Sequence, residues 1–196
     1  MLGLILCGGQ SSRMGSDKGL LLKDNTPWAI LSFYLLDSLV LNVLLSINKS
    51  QESIYKPLFL PNQLIADDEN IEVGGPLKGL LSVHHRYPDD DILALACDMP
   101  AMDEIVLTYL ISSYNSHPQK EAFVFTNEGN LEPLCAIYTS SALKKVMELY
   151  NHNKLPKHSL KFVLEQLDTL KIPLNIDWKQ YFTNYNTPND LGSLKV

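Results

Sequence analysis

The sequence lacks several features that mark specialised proteins. Its three cysteines, Cys7, Cys97 and Cys135, are far apart, which excludes a zinc-binding pair or a C-x-x-C redox motif and predicts reduced core thiols. It also lacks a basic excess, because 16 Lys and Arg against 22 Asp and Glu give a net charge of -6. This charge argues against a protein that binds by neutralising many nucleic-acid phosphates. A small anion held by a few local donors is still allowed.

Long uninterrupted apolar runs are absent as well. The longest apolar stretch, residues 31–47, contains Asp37, Ser38 and Asn42, so it predicts a helix followed by a strand rather than a membrane span. Residues 2–7 are too few for the apolar core of a secretory signal, and no basic segment precedes them. We therefore expect a cytoplasmic protein with no membrane partner.

Length and composition predict one folded unit. The chain has 196 residues, of which 45% are apolar and 19% charged, as in ordinary globular proteins. This size is enough for one well-buried core and small for two domains, so we expect a single domain over residues 1–196.

Short apolar runs alternate with amphipathic segments, which predicts an α/β fold with a mostly parallel sheet and helices that cross between its strands. Thr26 and Pro27 together predict a capped helix start. The predicted strands cover residues 2–7, 43–47, 64–66, 92–97, 122–126, 134–138 and 170–174. The predicted helices cover residues 28–39, 76–86, 102–114, 140–150 and 159–167, with a short one at 187–190. This pattern favours βα units throughout.

A glycine-rich segment, LCGGQSSRMGSDK, occupies residues 6–18 directly after the first strand, where open α/β sheets bind their ligands. Its glycines allow a turn with inward-pointing amides, while Arg13, Lys18 and two hydroxyls add donors and positive charge. This combination is typical of a polyphosphate site. It is not a Walker A loop, because five residues separate Gly9 from Gly15 and Ser16 follows. The dinucleotide G-x-G-x-x-G pattern is not present either.

The segment resembles the signature L-x-G-G-x(3)-R-M-G-x-D-K of nucleotidyltransferases, and the nearest match among them is the molybdenum cofactor guanylyltransferase family. The resemblance implies a single-domain, three-layer αβα sandwich with a Rossmann-like sheet of the nucleotide-diphospho-sugar transferase type. It also implies that several residues of the segment contact the nucleotide. These are Leu6, Cys7, Gly8, Gly9, Ser11, Ser12, Arg13 and Lys18. The alternative is a glycine-rich turn that only joins a strand to a helix.

Asp98 follows the apolar run 93–97 and precedes Met99 and Pro100, so its carboxylate is expected at the carboxyl edge of the sheet beside the first loop. A lone carboxylate there suits Mg²⁺, which completes its shell with water and substrate phosphates. The motif C-D-M-P resembles the metal-binding aspartate motif of the same family. The alternative is that Asp98 caps the helix expected near Asp103 or starts a turn.

Two further segments resemble nucleotide contacts of the family. Asp67 matches a nucleotide-contacting aspartate, although the neighbouring Asp68 leaves the register open by one residue. The segment GGPLKG at 74–79 resembles the family's G-P-L-x-G. Its residues Gly75, Pro76 and Leu77 are implied to pass near the nucleotide. A plain turn into a helix is the alternative, with Lys78 as solvated surface.

Two asparagine motifs complete the resemblance. The family carries N-x-N after its second strand, where this chain has Ser46 and Asn48, so either side chain could make the contact. Asn184 and Asn186 match an N-x-N-T-P segment implied to face the pterin substrate, although asparagine before a helix is often only a cap. Residues 131–134 loosely match a stretch near the second substrate. The five histidines show no metal spacing and are expected at the surface or in loops.

The resemblance implies transfer of GMP from GTP to the terminal phosphate of the molybdenum-molybdopterin cofactor, with release of pyrophosphate. Arg13, Lys18 and Asp98 are the implied catalytic residues, and Mg²⁺ is the implied ion. Protein partners that supply the cofactor and accept the product are also implied. A phosphate monoester is largely ionised at neutral pH, so no general base is needed.

Two alternatives remain open. A cytidylyl- or sugar-1-phosphate nucleotidyltransferase shares the loop and sheet, but cytidylyl relatives usually read L-A-A-G where this chain has two glycines. A GTP-binding module without catalysis is the other. It would bind GTP without a metal and would release no pyrophosphate.

Overall fold

The computed structural model describes residues 1–8, 17–39 and 41–183. Its strands are β1 (Leu2–Leu6), β2 (Leu22–Lys23), β3 (Thr26–Pro27), β4 (Asn42–Ile47), β5 (Leu64–Ala66), β6 (Ile92–Ala96), β7 (Ala122–Asn127), β8 (Asn130–Tyr138) and β9 (Thr169–Pro173). Its α-helices are α1 (Trp28–Ser38), α2 (Glu52–Tyr55), α3 (Pro76–Arg86), α4 (Glu104–Ser116), α5 (Ser140–Asn151) and α6 (Leu160–Glu165). Short 3-10 helices cover Lys18–Leu20, Lys49–Gln51, Pro61–Gln63 and Ile176–Phe182.

Within the described residues, seven strands form one sheet in the order β5-β4-β1-β6-β8-β7-β9. Every neighbouring pair is parallel except the two that include β8, which runs antiparallel to β6 and to β7. The prediction of a mostly parallel sheet is confirmed, but the prediction of βα units throughout is wrong. Glu128 and Gly129 both have positive φ, 51° and 81°, so β7 and β8 form a tight hairpin instead of a crossover.

Helices cover both faces of the sheet, which gives the predicted three-layer sandwich. One buried cluster packs α3, α5 and α6 against one face, and a second packs α1 and α4 against the other. Alternate residues of β1 supply the two clusters, as Leu4 in the first and Ile5 in the second show, and both are fully buried. The central strands are therefore apolar on both sides, as covered parallel strands must be.

The start of α1 differs from the prediction. Thr26 does not cap this helix, because Thr26 and Pro27 form β3 and pair with β2 in a small hairpin. The helix begins at Trp28 with no side-chain cap, and the Trp28 amide donates to the Leu21 carbonyl at 2.9 Å. The hairpin thus satisfies an amide of the first turn for which a threonine cap was expected.

The expectation that all histidines lie at the surface is wrong for His84, which is buried on α3. It follows Leu77 and Leu81 along the inner face of that helix at intervals of three and four residues. Burial lowers the pKa of His84, which favours its neutral form. The helix expected at residues 187–190 lies outside the described part of the chain. No described helix is both long and apolar enough to cross a bilayer.

Candidate active site

The strand register brings the predicted site residues that the structure describes to one edge of the sheet. Leu6 at the end of β1 pairs with Ser46 of β4 on one side and with Ala96 of β6 on the other. Ser46 in turn pairs with Ile65 of β5. The segments that follow these four parallel strands therefore meet at the carboxyl edge, where open α/β sheets bind ligands.

Lys18 and Asp98 form an ion pair at this edge. Lys18 Nζ lies 2.9 Å from Asp98 Oδ2, and their side chains are only 22% and 14% exposed. The other oxygen, Asp98 Oδ1, is shielded from solvent and has no hydrogen-bond partner within the described residues. Because a buried carboxylate oxygen without a partner is costly, this atom is suited to a ligand.

Asp98 is not a helix cap. The Asp103 side chain caps α4 by accepting from the Ile105 amide at 2.9 Å. Lys23 of β2 donates to the Pro100 carbonyl at 3.2 Å and so ties down the backbone that follows Asp98. The carboxylate of Asp98 is therefore left for Lys18 and for a ligand.

The end of β1 is used differently from the expectation. The amides of Cys7 and Gly8 both donate to the Ser46 carbonyl at 3.0 Å, and the Leu6 carbonyl accepts from the Cys97 amide at 3.3 Å. The Gly8 amide was expected to point towards the ligand. It is instead hydrogen-bonded to Ser46, because the backbone pairing of β1 with β4 continues past the last residue of β1. Contacts of Leu6, Cys7 and Gly8 with the nucleotide stay predictions.

The structure brings Asp67, rather than Asp68, to the site. Asp67 Oδ1 accepts from Ser46 Oγ at 3.2 Å, and a Cβ on Gly8 would lie 3.5 Å from Asp67 Oδ2. Asp68 instead bonds Asn70 and His85. Burial raises the pKa of Asp67, and the Ser46 hydroxyl together with the charge of Lys78 partly offsets that rise. A nucleotide contact of Asp67 stays a prediction.

Ser46 and Asn48 are both engaged within the protein. The buried hydroxyl of Ser46 packs directly under α3, because a Cβ on Gly79 would lie only 2.1 Å from Ser46 Oγ. The Asn48 side chain caps the following 3-10 helix and accepts from the Gln51 amide at 3.1 Å and from Ser50 Oγ at 2.6 Å. A contact of Ser46 or Asn48 with the nucleotide stays a prediction.

The GGPL segment forms the predicted turn into α3. Gly75 has a φ of 66°, which glycine adopts without strain, and Pro76 begins the helix. Leu77 is fully buried, so only its backbone can face the edge of the sheet. Lys78 is half-buried on this helix, and its charge favours the ionised form of Asp67.

The remaining predicted site residues lie outside the described part of the chain. They are Gly9, Ser11, Ser12, Arg13, Asn184 and Asn186. Their contacts with nucleotide or pterin stay predictions.

The cysteine prediction is confirmed, because all three thiols are free and buried. Cys7 and Cys97 directly follow the adjacent strands β1 and β6, and their thiols lie within hydrogen-bond reach of each other. That hydrogen bond and burial raise the pKa of Cys97 well above its usual range. A protonated buried thiol is a poor nucleophile, so Cys97 is a packing residue under the site.

Sequence reasoning missed a group behind Lys18. Asp17, Gln51 and Tyr55 are joined by hydrogen bonds next to the ion pair. Asp17 belongs to the glycine-rich signature, so its place in the motif was a usable signal. Gln51 and Tyr55 carry no sequence signal, because their role arises only where the 3-10 helix and α2 pack under the edge of the sheet.

Comparison with known proteins identifies the family. The sequence profile of the MobA-like NTP transferase domain matches residues 3–170. The chain belongs to this family. It is 30% identical over 191 residues to a probable molybdenum cofactor guanylyltransferase of Methanothermobacter thermautotrophicus, and the match covers 95% of each chain.

Solved structures agree with the MobA-like fold. A crystal structure of molybdopterin-guanine dinucleotide biosynthesis protein A from Archaeoglobus fulgidus superposes with a TM-score of 0.77 at 20% identity, covering 98% of this chain and 96% of that one. A putative glucose-1-phosphate thymidylyltransferase from Bacillus anthracis gives 0.71 at 15% identity, with 98% and 93% coverage. At such identities the likeness shows the fold, which is the predicted type.

MobA-like nucleotidyltransferases are generally metal-dependent. The described residues contain no group of three or more His, Cys, Asp or Glu that could enclose an ion. They do contain the shielded, unpartnered Oδ1 of Asp98, a hard oxygen ligand at the ligand-binding edge. This donor set fits an ion that takes one carboxylate and completes its shell with water and phosphate oxygens.

Proposed function

We propose that this protein transfers GMP from GTP to the terminal phosphate of the molybdenum-molybdopterin cofactor, releasing pyrophosphate and forming the guanine dinucleotide cofactor. The relative from Methanothermobacter and the structure from Archaeoglobus carry names for this chemistry. The observation that carries the proposal is the Lys18–Asp98 pair, which lies at the sheet edge of a MobA-like fold. One domain over residues 1–196 would perform the reaction.

Lys18 supplies fixed positive charge to the triphosphate. Its ammonium group is already held at the edge by Asp98, so it needs little reorganisation when charge develops on the phosphate oxygens. The glycine-rich signature adds Arg13 to this role. Preorganised charges of this kind are the main source of rate in phosphoryl-type transfer, because little covalent chemistry is left to the protein.

Asp98 is the residue that would hold Mg²⁺, through the oxygen that has no other partner within the described residues. When bound, the ion would neutralise charge on the phosphate oxygens. The attacking group is a phosphate monoester whose second pKa is about 6, so it is already ionised at neutral pH. The site therefore needs no basic residue to activate it.

The test is pyrophosphate release by the purified protein supplied with molybdenum-molybdopterin, Mg²⁺ and GTP, CTP, UTP or ATP in turn. Of the four nucleotides, we expect only GTP to give pyrophosphate release. We also expect Tm to rise when GTP and Mg²⁺ are added. Release with CTP instead would favour the cytidylyl alternative, and release only when a sugar 1-phosphate replaces the pterin as acceptor would favour the sugar-1-phosphate alternative. Metal-independent GTP binding without pyrophosphate would identify a binding module and reject the proposal.

A further inference from the structure

A hydrogen-bonded cluster behind the ion pair fixes the residue next to Lys18. The Asp17 carboxylate accepts from the Gly19 amide at 2.9 Å and from the Tyr55 hydroxyl at 2.8 Å, both through Oδ1. Its Oδ2 accepts from the side-chain amide nitrogen of Gln51, Nε2. Three donors from three separate positions thus hold one carboxylate, and charge-assisted hydrogen bonds of this kind are among the stronger ones.

Gln51 joins two places that are distant in sequence. Its Nε2 donates to the Cys7 carbonyl at 3.0 Å as well as to Asp17, and its Oε1 accepts from the Asn48 amide at 2.8 Å. The side chain is buried, so water does not compete for these bonds. Gln51 therefore fixes Asp17 relative to the end of β1.

Tyr55 reaches the same carboxylate through a close approach to the backbone. Its ring is fully buried, and a Cβ on Gly19 would lie only 2.1 Å from the Tyr55 hydroxyl oxygen. Burial raises the pKa of Tyr55 far above its usual range, so the phenol keeps its proton and stays a donor. Position 19 therefore has no room for a side chain, because the Tyr55 hydroxyl occupies the space where its Cβ would lie.

We propose that Gln51 and Tyr55 are positioning residues for nucleotidyl transfer, which act by clamping Asp17 so that Lys18 projects to Asp98. A free lysine side chain populates many rotamers, and fixing its backbone root reduces the entropy lost when it meets the phosphates. The kinetic part of this inference rests on the proposed function. The placement of Lys18 does not.

The first test measures Lys18 directly. The amine of Lys18 is labelled with a limiting dose of an acylating reagent, and its modification is quantified by mass spectrometry in the wild type and in Tyr55→Phe. Because the clamp holds Lys18 on Asp98, we expect severalfold faster labelling in Tyr55→Phe. Tyr114→Phe is the matched control, since it also removes a tyrosine hydroxyl from an aspartate but at the opposite end of β6. Equal labelling of Lys18 in all three proteins would overturn the clamp.

The second test is a kinetic double-mutant cycle. We expect Tyr55→Phe to lower kcat about tenfold, the rate equivalent of one hydrogen bond to a charged group, with little change in KM for GTP. In the Lys18→Ala background the same change should cost almost nothing, because the residue it positions has been removed. A purely structural tyrosine would reduce kcat by the same factor in both backgrounds, and that result would reject the proposal.

Gly19→Ala supplies a rescue experiment. Its added methyl group collides with the Tyr55 hydroxyl, so we expect a larger loss of kcat than in Tyr55→Phe. Combining Gly19→Ala with Tyr55→Phe removes the colliding oxygen and leaves only contacts of 3.3 Å, with Ala29 Cβ and Tyr55 Cζ, so kcat should rise most of the way to that of Tyr55→Phe alone. A double variant slower than Gly19→Ala would contradict the clamp.

Failure of the two proposals can be told apart. If the wild type releases no pyrophosphate with any nucleotide, the proposed function fails, while a change in Lys18 labelling would still support the clamp. If the wild type is active but labelling is unchanged in Tyr55→Phe and in Gln51→Glu, the clamp fails and the function stands.

Discussion

Asp91 directly precedes β6 and Asp98 follows it, and the two carboxylates have different surroundings. At the amino end, Asp91 Oδ1 accepts from the Ser140 amide at 2.7 Å, and Oδ2 accepts from the Tyr114 hydroxyl. At the carboxyl end, Asp98 has Lys18 on one oxygen and no partner within the described residues on the other. The first carboxylate is saturated by the fold, while the second keeps an oxygen for a ligand. This difference in hydrogen bonding supports a structural role for Asp91 and the proposed ligand role of Asp98.

Asp98→Ala should break the comparison at its functional end and give the largest effect. We expect pyrophosphate release to be abolished, because the variant loses both the partner of Lys18 and the proposed metal ligand. Circular dichroism should show an intact fold. Asp98 Oδ1 has no hydrogen-bond partner within the described residues, so removing it breaks no bond there. Full turnover of this variant in Mg²⁺ would remove Asp98 from the mechanism.

Asp91→Ala should break the comparison at its structural end. Losing two hydrogen bonds to a carboxylate should cost about 3 kcal/mol, which lowers Tm by ~6–12 °C in a domain of this size. Per folded molecule, kcat should stay at the wild-type level below the transition. A variant with unchanged Tm but impaired turnover would reverse the assignment of the two aspartates.

Asp67→Asn extends the comparison of Asp91 with Asp98 to a third aspartate, and its expected effect on stability is smaller than that of Asp91→Ala. Because burial raises the native pKa of Asp67, the native state holds its proton to higher pH than the unfolded state does. The cost of ionising it is absent below about pH 4, the pKa of an unfolded aspartate, and grows as pH rises through the native pKa. The variant should therefore have a higher Tm than the wild type at pH 7 and no advantage at pH 3.

The same substitution should weaken GTP binding if Asp67 contacts the nucleotide. Measuring Tm across pH together with the Kd for GTP separates the two effects. A wild-type protein that is more stable than Asp67→Asn at neutral pH would show that the Ser46 hydroxyl and Lys78 outweigh burial.

Much of the fold could be predicted because its signals are local. The apolar runs at 64–66 and 92–97 and the Gly-Pro start of α3 each depend on neighbouring residues, and the strands and helix lie where predicted. The β7–β8 hairpin was missed although Glu128 and Gly129 form a short turn between two strand-like runs. A hairpin there inserts an antiparallel strand, which no count of alternating elements reveals.

The site was predictable where a motif names the residue and not where packing creates it. Lys18 and Asp98 stand in signature motifs 80 residues apart, and the register of β1 against β6 brings them together. Gln51 and Tyr55 have no such marker, because their role depends on how a 3-10 helix and α2 lie under Asp17. The burial of His84 likewise follows from which face of α3 meets the sheet.

The close approach of Ser46 to Gly79 predicts that substitutions at these two positions depend on each other. With α3 resting this close to β4, any larger side chain at position 79 must displace the helix, and with it the Gly-Pro turn at its start. Restoring the family's asparagine at position 46 would meet the same backbone. A library that varies both positions together should therefore recover active combinations that neither single-site library contains.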